Sequence, residues 1–223
     1  MAGWLPLLLC LFFSVGVSTR QRALAGVASS SKIVTSLPGF PGRLPFHLER
    51  GYVEVDEDNG LNSAELFYYF VESEAGSENS PFLLWPTGGD HCSVLSGLVL
   101  EIGPFQFVAE PYNGTVPSLE INPYSWTKVA NILFVDTPVG VGFSFSRKPE
   151  GYNVGEISTS LQLHELLLQW FIDHPKFLAS RLYIGGDSYV GKIVPFIAQK
   201  ISKGIEAGRS PILNLKVTII IHG

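Results

Sequence analysis

The sequence predicts a layered α/β fold built on a largely parallel central sheet. Short apolar runs of strand length alternate with helix-compatible segments along the chain. Gly-rich loops follow several of those runs, at the strand ends where such sheets bind ligands. One segment is plainly an amphipathic helix: Leu163, Leu166, Leu167, Trp170 and Phe171 fall at i, i+3, i+4, i+7 and i+8 and share one face. The 223 residues suggest one domain, and 46% hydrophobic content is ample for its core. Net charge is −5 and no basic run exceeds two residues, which argues against a nucleic-acid partner.

Leu5 to Val17 is an almost unbroken apolar run, too short to span a bilayer and suited to a signal-peptide core, although no positive residue precedes it. Cleavage is expected after Ala23-Leu24-Ala25, with Gly16-Val17-Ser18 as a second position and a buried N-terminal helix as the other reading. That divides the chain into a signal peptide, 1–25, and one domain, 26–223, with no span in the mature chain and a secretory route. Removal of Cys10 leaves Cys92, either as a buried apolar residue or as half of a disulfide whose partner is not in this chain. Asn113-Gly114-Thr115 is a glycosylation acceptor between prolines, in a stretch expected to be a surface loop.

Residues 26–48 are rich in Ser, Gly and Pro and form an entry segment. Gly51–Val55 and Ala64–Val71 flank the turn signal Asp56-Glu57-Asp58-Asn59-Gly60, giving a hairpin. Phe82–Trp85 is a short buried strand followed by the polar loop Thr87-Gly88-Gly89-Asp90-His91. Ser93–Leu100 suits a short helix, and Asn131–Asp136 another central strand whose terminal Asp136 reads as structural. The amphipathic helix stops near His174-Pro175. Flanking it, His164 and His174 are expected on the surface, and His47 has no evident partner. Leu213–Ile221 reads as a last strand.

Between helix and last strand lies the stretch on which function turns. Arg181–Ile184 reads as a buried strand, Gly185-Gly186 follow, then Asp187-Ser188-Tyr189, then a helical run through Ile201. Strand, sharp turn and helix with serine at the apex is the layout a nucleophile elbow needs, because the turn lifts Oγ clear of the sheet and aims backbone N–H groups at the reacting carbonyl. The pattern G-x-S-x-G is incomplete: Val190 occupies the second glycine's place and Gly191 follows it, so an ordinary Gly-rich turn is the alternative. Neither G-x-G-x-x-G nor G-K-[ST] is present, which excludes the dinucleotide and P-loop readings.

Further stretches join the elbow in order: Trp85-Pro86-Thr87-Gly88-Gly89 with Cys92-Ser93, Glu101-Ile102-Gly103-Pro104, Asn122-Pro123-Tyr124-Ser125-Trp126, Asp136 to Ser144, and His174-Pro175. Together they resemble the plant serine carboxypeptidase-like family over about residues 36–216. The Thr-Gly-Gly loop and Asp187, where the peptidases usually carry Asn-Gly-Gly and Glu, look most like its acyltransferase branch. The resemblance implies an α/β-hydrolase fold, with Ser188 as the nucleophile that forms an acyl-enzyme and the N–H groups of Gly89 and Tyr189 as oxyanion donors. It also implies that Thr87, Gly88, Glu101 and Asp187 recognise the substrate, a small acyl ester or a peptide C-terminus. Two nearby carboxyls repel unless one holds a proton, which suits an acidic compartment, extracellular or vacuolar. No cofactor or metal is implied. Without the resemblance, Glu101 is a solvated helix-end charge and Thr87-Gly88 shape a turn.

A serine hydroxyl needs a base, and the base an orienting acid, in the chain order Ser, Asp or Glu, His. Residues 189–223 hold one acid, Glu206, in an apparent surface loop, and one histidine, His222, directly after the last strand. The match fades after Asn214-Leu215-Lys216, so the chain is expected to be an N-terminal portion, truncated after the elbow helix and one further strand, and weak or inactive by itself. A non-catalytic protein that keeps the pocket is the alternative. Three departures lie in the site: Asp90-His91 for Pro-Gly, Val190 for a small residue, and Pro86 for a common leucine, which removes a backbone donor.

Overall fold

The computed structural model describes residues 30–55, 64–76, 78, 80–86, 92–111 and 114–221. Within them the strands are β1 (Ser30–Val34), β2 (Leu48–Val55), β3 (Ala64–Val71), β4 (Phe82–Pro86), β5 (Phe105–Phe107), β6 (Leu119–Ile121), β7 (Asn131–Val135) and β8 (Phe145–Ser146). Helix α1 (Glu156–Asp173), β9 (Leu182–Asp187), α2 (Val194–Glu206) and β10 (Leu215–Ile221) complete the order.

The main sheet runs β1-β2-β3-β7-β4-β9-β10, with β8 paired to β3, while β5 and β6 pair separately. It is mixed. β7, β4, β9 and β10 are mutually parallel, whereas β1, β2, β3 and β7 pair antiparallel. The sequence distinguishes the two halves. Every residue of β4 and β7 is buried, as expected of strands covered on both faces. In β2 the outward Arg50, Tyr52 and Glu54 alternate with buried Gly51, Val53 and Val55.

The expected hairpin of β2 and β3 forms in full register from Leu48↔Val71 to Val55↔Ala64. Its turn, 56–63, lies outside the described residues, as do the N-terminal segment and Cys10. Helix α1 buries the predicted face on the sheet. Trp170 stands 4.7 Å from the Phe70 ring and 5.0 Å from Phe82, with Phe171 and Phe177 completing the cluster. The opposite face of the sheet carries a second core, in which Trp85, Val94, Leu98, Phe105 and Phe134 meet. The sheet is therefore sandwiched between two apolar layers.

The segment after Cys92 is helical as expected and tightens into a π-helical turn, Gly97–Glu101, closed by Ile102 N–H to the Gly97 carbonyl. Three expectations need correction. His174 is largely buried, with its ring stacked on the Trp170 indole at 4.0 Å, because i and i+4 share the apolar face. His164 is half-buried between α1 and α2, and burial, then the charges of Lys200 and Arg209, pull its pKa below the usual range. Glu206 is the last residue of α2, exposed, and not part of a loop.

Candidate active site

Parallel pairing brings the C-terminal ends of β4, β7 and β9 to one edge of the sheet. Pro86 is level with Val135 in the register. Its carbonyl oxygen lies 3.2 Å from where a Cβ on Gly186 would stand. Pro86 thus ends β4 without interrupting its pairing. β9 then breaks at Ser188, whose φ of +48° is left-handed. A non-glycine residue held there costs roughly 1–3 kcal/mol, a strain that the surrounding structure must impose. Ser188 is exposed at the apex and leads into a 3-10 turn, Ser188–Lys192, and then α2 with Pro195 in its first turn.

The turn can be this sharp because Gly186 has no side chain. A Cβ there would overlap Val190 Cγ1 and lie 2.9 Å from Val190 Cβ. Val190 is only 1% exposed, so its methyl groups fill the space between strand and helix. The first glycine thus makes room for the valine that stands in the second glycine's place.

Asp136, just past β7, is fully buried and accepts three hydrogen bonds: Ser93 Oγ at 2.9 Å, Val94 N–H at 2.7 Å and Phe143 N–H at 2.8 Å. Burial pushes its pKa up, and the three donors oppose that. The residue ties the loop after β7 to the helix that follows residues 87–91, the structural part expected of it.

Glu101 is not merely a solvated charge. Its Oε2 accepts the Trp85 indole N–H at 3.0 Å. Trp85 is itself buried, and its ring would lie 3.1 Å from a Cβ on Gly185, so Glu101 is linked through β4 to the elbow strand. Glu101 also borders an open cleft of about 460 Å³ with Val99, Leu100, Phe105, Asn122 and Tyr124.

Asp187, Ser188 and Tyr189 are successive at the elbow, and Lys192 Nζ sits 5.1 Å from the centre of the Tyr189 ring. Thr87, Gly88, Gly89, His91 and Asn113 lie outside the described residues, as does His222. Among the described residues the Ser188 hydroxyl makes no hydrogen bond. Cys92 is exposed and free, which removes the expectation of a buried thiol. No helix among the described residues is long and apolar enough to cross a membrane. Sequence reasoning missed the polar cluster of Glu49, Tyr68 and His174; the signal was His174 four residues after Trp170 on the apolar face.

The family model described as serine carboxypeptidase matches residues 38–223. Serine carboxypeptidase-like 19 of Arabidopsis thaliana is 46% identical over 190 residues, 85% of this chain and 40% of the relative. Serine carboxypeptidase-like 15 of the same plant is 43% identical over 220 residues, 99% of this chain and 48% of the relative. The chain therefore spans less than half the length of these relatives. Among solved structures, Kex1ΔP, a prohormone-processing carboxypeptidase from Saccharomyces cerevisiae, superposes with a TM-score of 0.68 at 24% identity, covering 85% of this chain and 42% of that one. That likeness establishes the α/β-hydrolase fold that the resemblance implies. With a family match reaching from residue 38 to residue 223, the chain belongs to the serine carboxypeptidase family.

Proposed function

We propose that this chain carries the nucleophile half of a serine carboxypeptidase-like acyl-transfer site, closer to the acyltransferase branch than to the peptidases. The left-handed Ser188 at the strand-to-helix apex is the observation that carries it. In this reading Ser188 Oγ attacks the carbonyl of an acyl ester or of a C-terminal peptide bond. The N–H groups of Gly89 and Tyr189 take the developing oxyanion, and Thr87, Gly88, Glu101 and Asp187 hold the substrate's polar end. The hydroxyl proton passes to a base, the alcohol or amine departs with a proton, and the acyl group remains on Oγ until an acceptor or water removes it.

The base is the step that this polypeptide does not supply in our reading. Glu206 is twelve residues beyond Val194 along α2, about 18 Å at 1.5 Å per residue, far outside hydrogen-bond reach of the elbow. His222 is the other candidate in residues 189–223, and Glu206 is the one acid there that could orient it, so the pair does not make a working base in our reading. The 223-residue chain alone should therefore turn over acyl esters at background rate. Substrate recognition by two acidic groups, secretion after removal of residues 1–25, and glycosylation at Asn113 belong to the same proposal, with an acidic extracellular or vacuolar setting.

A second reading, a binding protein that keeps the pocket, is favoured by the Trp85–Glu101 hydrogen bond, which orients a polar group without needing a base. Two measurements separate the outcomes. Steady-state hydrolysis of an acyl ester should be the same for the chain and for Ser188→Ala, and turnover lost in the variant overturns the inactivity. Calorimetry with an acyl glucose ester should give heat that Glu101→Gln weakens, and no heat from the unsubstituted chain removes the pocket.

A further inference from the structure

None of the residues assigned to the acyl site explains the polar cluster buried beneath α1. Glu49, 7% exposed on β2, shares one carboxylate oxygen between the Tyr68 hydroxyl at 2.6 Å and His174 Nε2 at 3.1 Å. Its other oxygen faces His47 Nε2 at 3.9 Å. His174 caps the C-terminal end of α1, and its Nδ1 lies 2.9 Å from the Trp170 carbonyl. Both ring nitrogens thus face acceptors, whereas a neutral imidazole has a single N–H and can satisfy only one. An imidazolium satisfies both. The ring also lies parallel to the Trp170 indole, 7° between planes, where a cation is favoured over the π face. It stands at a helix C-terminus, where the dipole favours positive charge.

We propose that the Glu49–His174 pair is a latch that fastens the end of α1 to β2 while His174 carries two protons and loosens when it loses one. The latch has a bearing on the elbow because the chain runs from His174 through the short turn Pro175–Phe177 and residues 178–181 into β9, whose last residue, Asp187, precedes Ser188. The groups around it are accounted for from each element. β2 and the segment before it bring Glu49 and His47, and β3 brings Tyr68. α1 brings Asp173, whose charge also favours the imidazolium, and Lys176 beyond it is taken by Glu72 at 2.7 Å.

Burial works against charge on His174, but Glu49 and the Trp170 carbonyl outweigh it and raise its pKa above the ordinary 6.5. Burial likewise opposes ionisation of Glu49, yet the hydrogen bond with His174, the nearby His47 imidazole and the hydrogen bond from Tyr68 outweigh it and hold the carboxyl well below the usual range. The stabilisation by His174 is therefore complete below 6.5 and is lost as pH rises through its raised folded value. That by Glu49 is present above 4.5 and fails only in strong acid. The latch is firmest between those ordinary values, in mildly acidic medium.

The test is urea unfolding of the full chain and of His174→Gln between about pH 5 and 9, with His47→Gln as the control for the neighbouring imidazole. Above pH 6.5 the unfolding constant of the unsubstituted chain should climb relative to His174→Gln by up to about tenfold per pH unit, until the folded imidazolium titrates. The His47→Gln background should keep that climb. Parallel curves for the chain and His174→Gln overturn the proposal. Nitrogen chemical shifts of the His174 ring in the unsubstituted chain decide independently of whether the variants fold. A ring that is predominantly doubly protonated at pH 6.5, where an ordinary imidazole is half protonated, supports the latch; a ring half protonated or less at that pH in the unsubstituted chain refutes it.

Discussion

Replacing Gly186 by Ala, alone and together with Val190→Ala, tests how the elbow tolerates a valine where a second glycine is usual. The added Cβ would overlap Val190 Cγ1, sit 2.9 Å from Val190 Cβ and 3.2 Å from the Pro86 carbonyl oxygen. None of these can move freely, since Val190 is 1% exposed and Pro86 is fixed in the centre of the sheet. Overpacking of this kind costs about 1–3 kcal/mol. Val190→Ala alone removes two buried methyl groups at about 0.8 kcal/mol each, roughly 1.6 kcal/mol before any cavity contribution. Independent effects would thus sum to about 3.5 kcal/mol. In the double variant the methyl group added at position 186 enters the space that Val190 vacates, and the loss should be about 2 kcal/mol, a coupling near ~1.5 kcal/mol. Urea unfolding followed by tryptophan fluorescence measures all four corners, because Trp85 and Trp170 are buried on opposite faces of the sheet. Additivity within about 0.5 kcal/mol would refute the steric account of the elbow.

Other substitutions probe the loops that hold the strand ends. Asp136→Asn keeps the shape but puts an NH2 against one of three donors, and should cost about 1.5–3 kcal/mol in the same unfolding assay. Gly142→Ala combines a φ of +55° with a Cβ 2.5 Å from Asp136 Oδ1, and should destabilise by about 2 kcal/mol or more. Phe70→Ala empties the centre of the ring cluster under α1, for which a fall of about 3–5 kcal/mol in unfolding free energy is expected. Trp85→Phe removes the N–H donor to Glu101 along with part of a buried ring; calorimetry should show ligand affinity down by about 1 kcal/mol, and unfolding a cavity loss of about 1–3 kcal/mol.

Much of the fold was legible because single physical signals carried it. The apolar spacing from Leu163 to Phe171 located α1 and its buried face, and Pro175 marked its end. Continuous apolar runs identified β4 and β7, and the elbow strand was found from its apolar start and double glycine. The antiparallel half was less legible, since strand order depends on contacts far apart in sequence: β3 pairs with β7 across more than sixty residues. Polar residues at apolar positions were misjudged for a similar reason. His174 was assigned to the surface by residue type, yet Glu49, 125 residues away, supplies the partner that lets it be buried. Glu101 is equally ambiguous by residue type, and its role is set by the Trp85 indole N–H that donates to it. In the elbow, the pattern showed that Val190 departs from glycine, but only the geometry shows Gly186 making room for it.

The central claim concerns Ser188 and the proton it must lose. Intact-mass analysis of the 223-residue chain after incubation with an acyl glucose ester measures that step directly. The chain should keep its unmodified mass, with acylation no faster than in Ser188→Ala. A stoichiometric acyl adduct mapped to Ser188, and absent from the variant, would contradict the account and place a working base within this polypeptide.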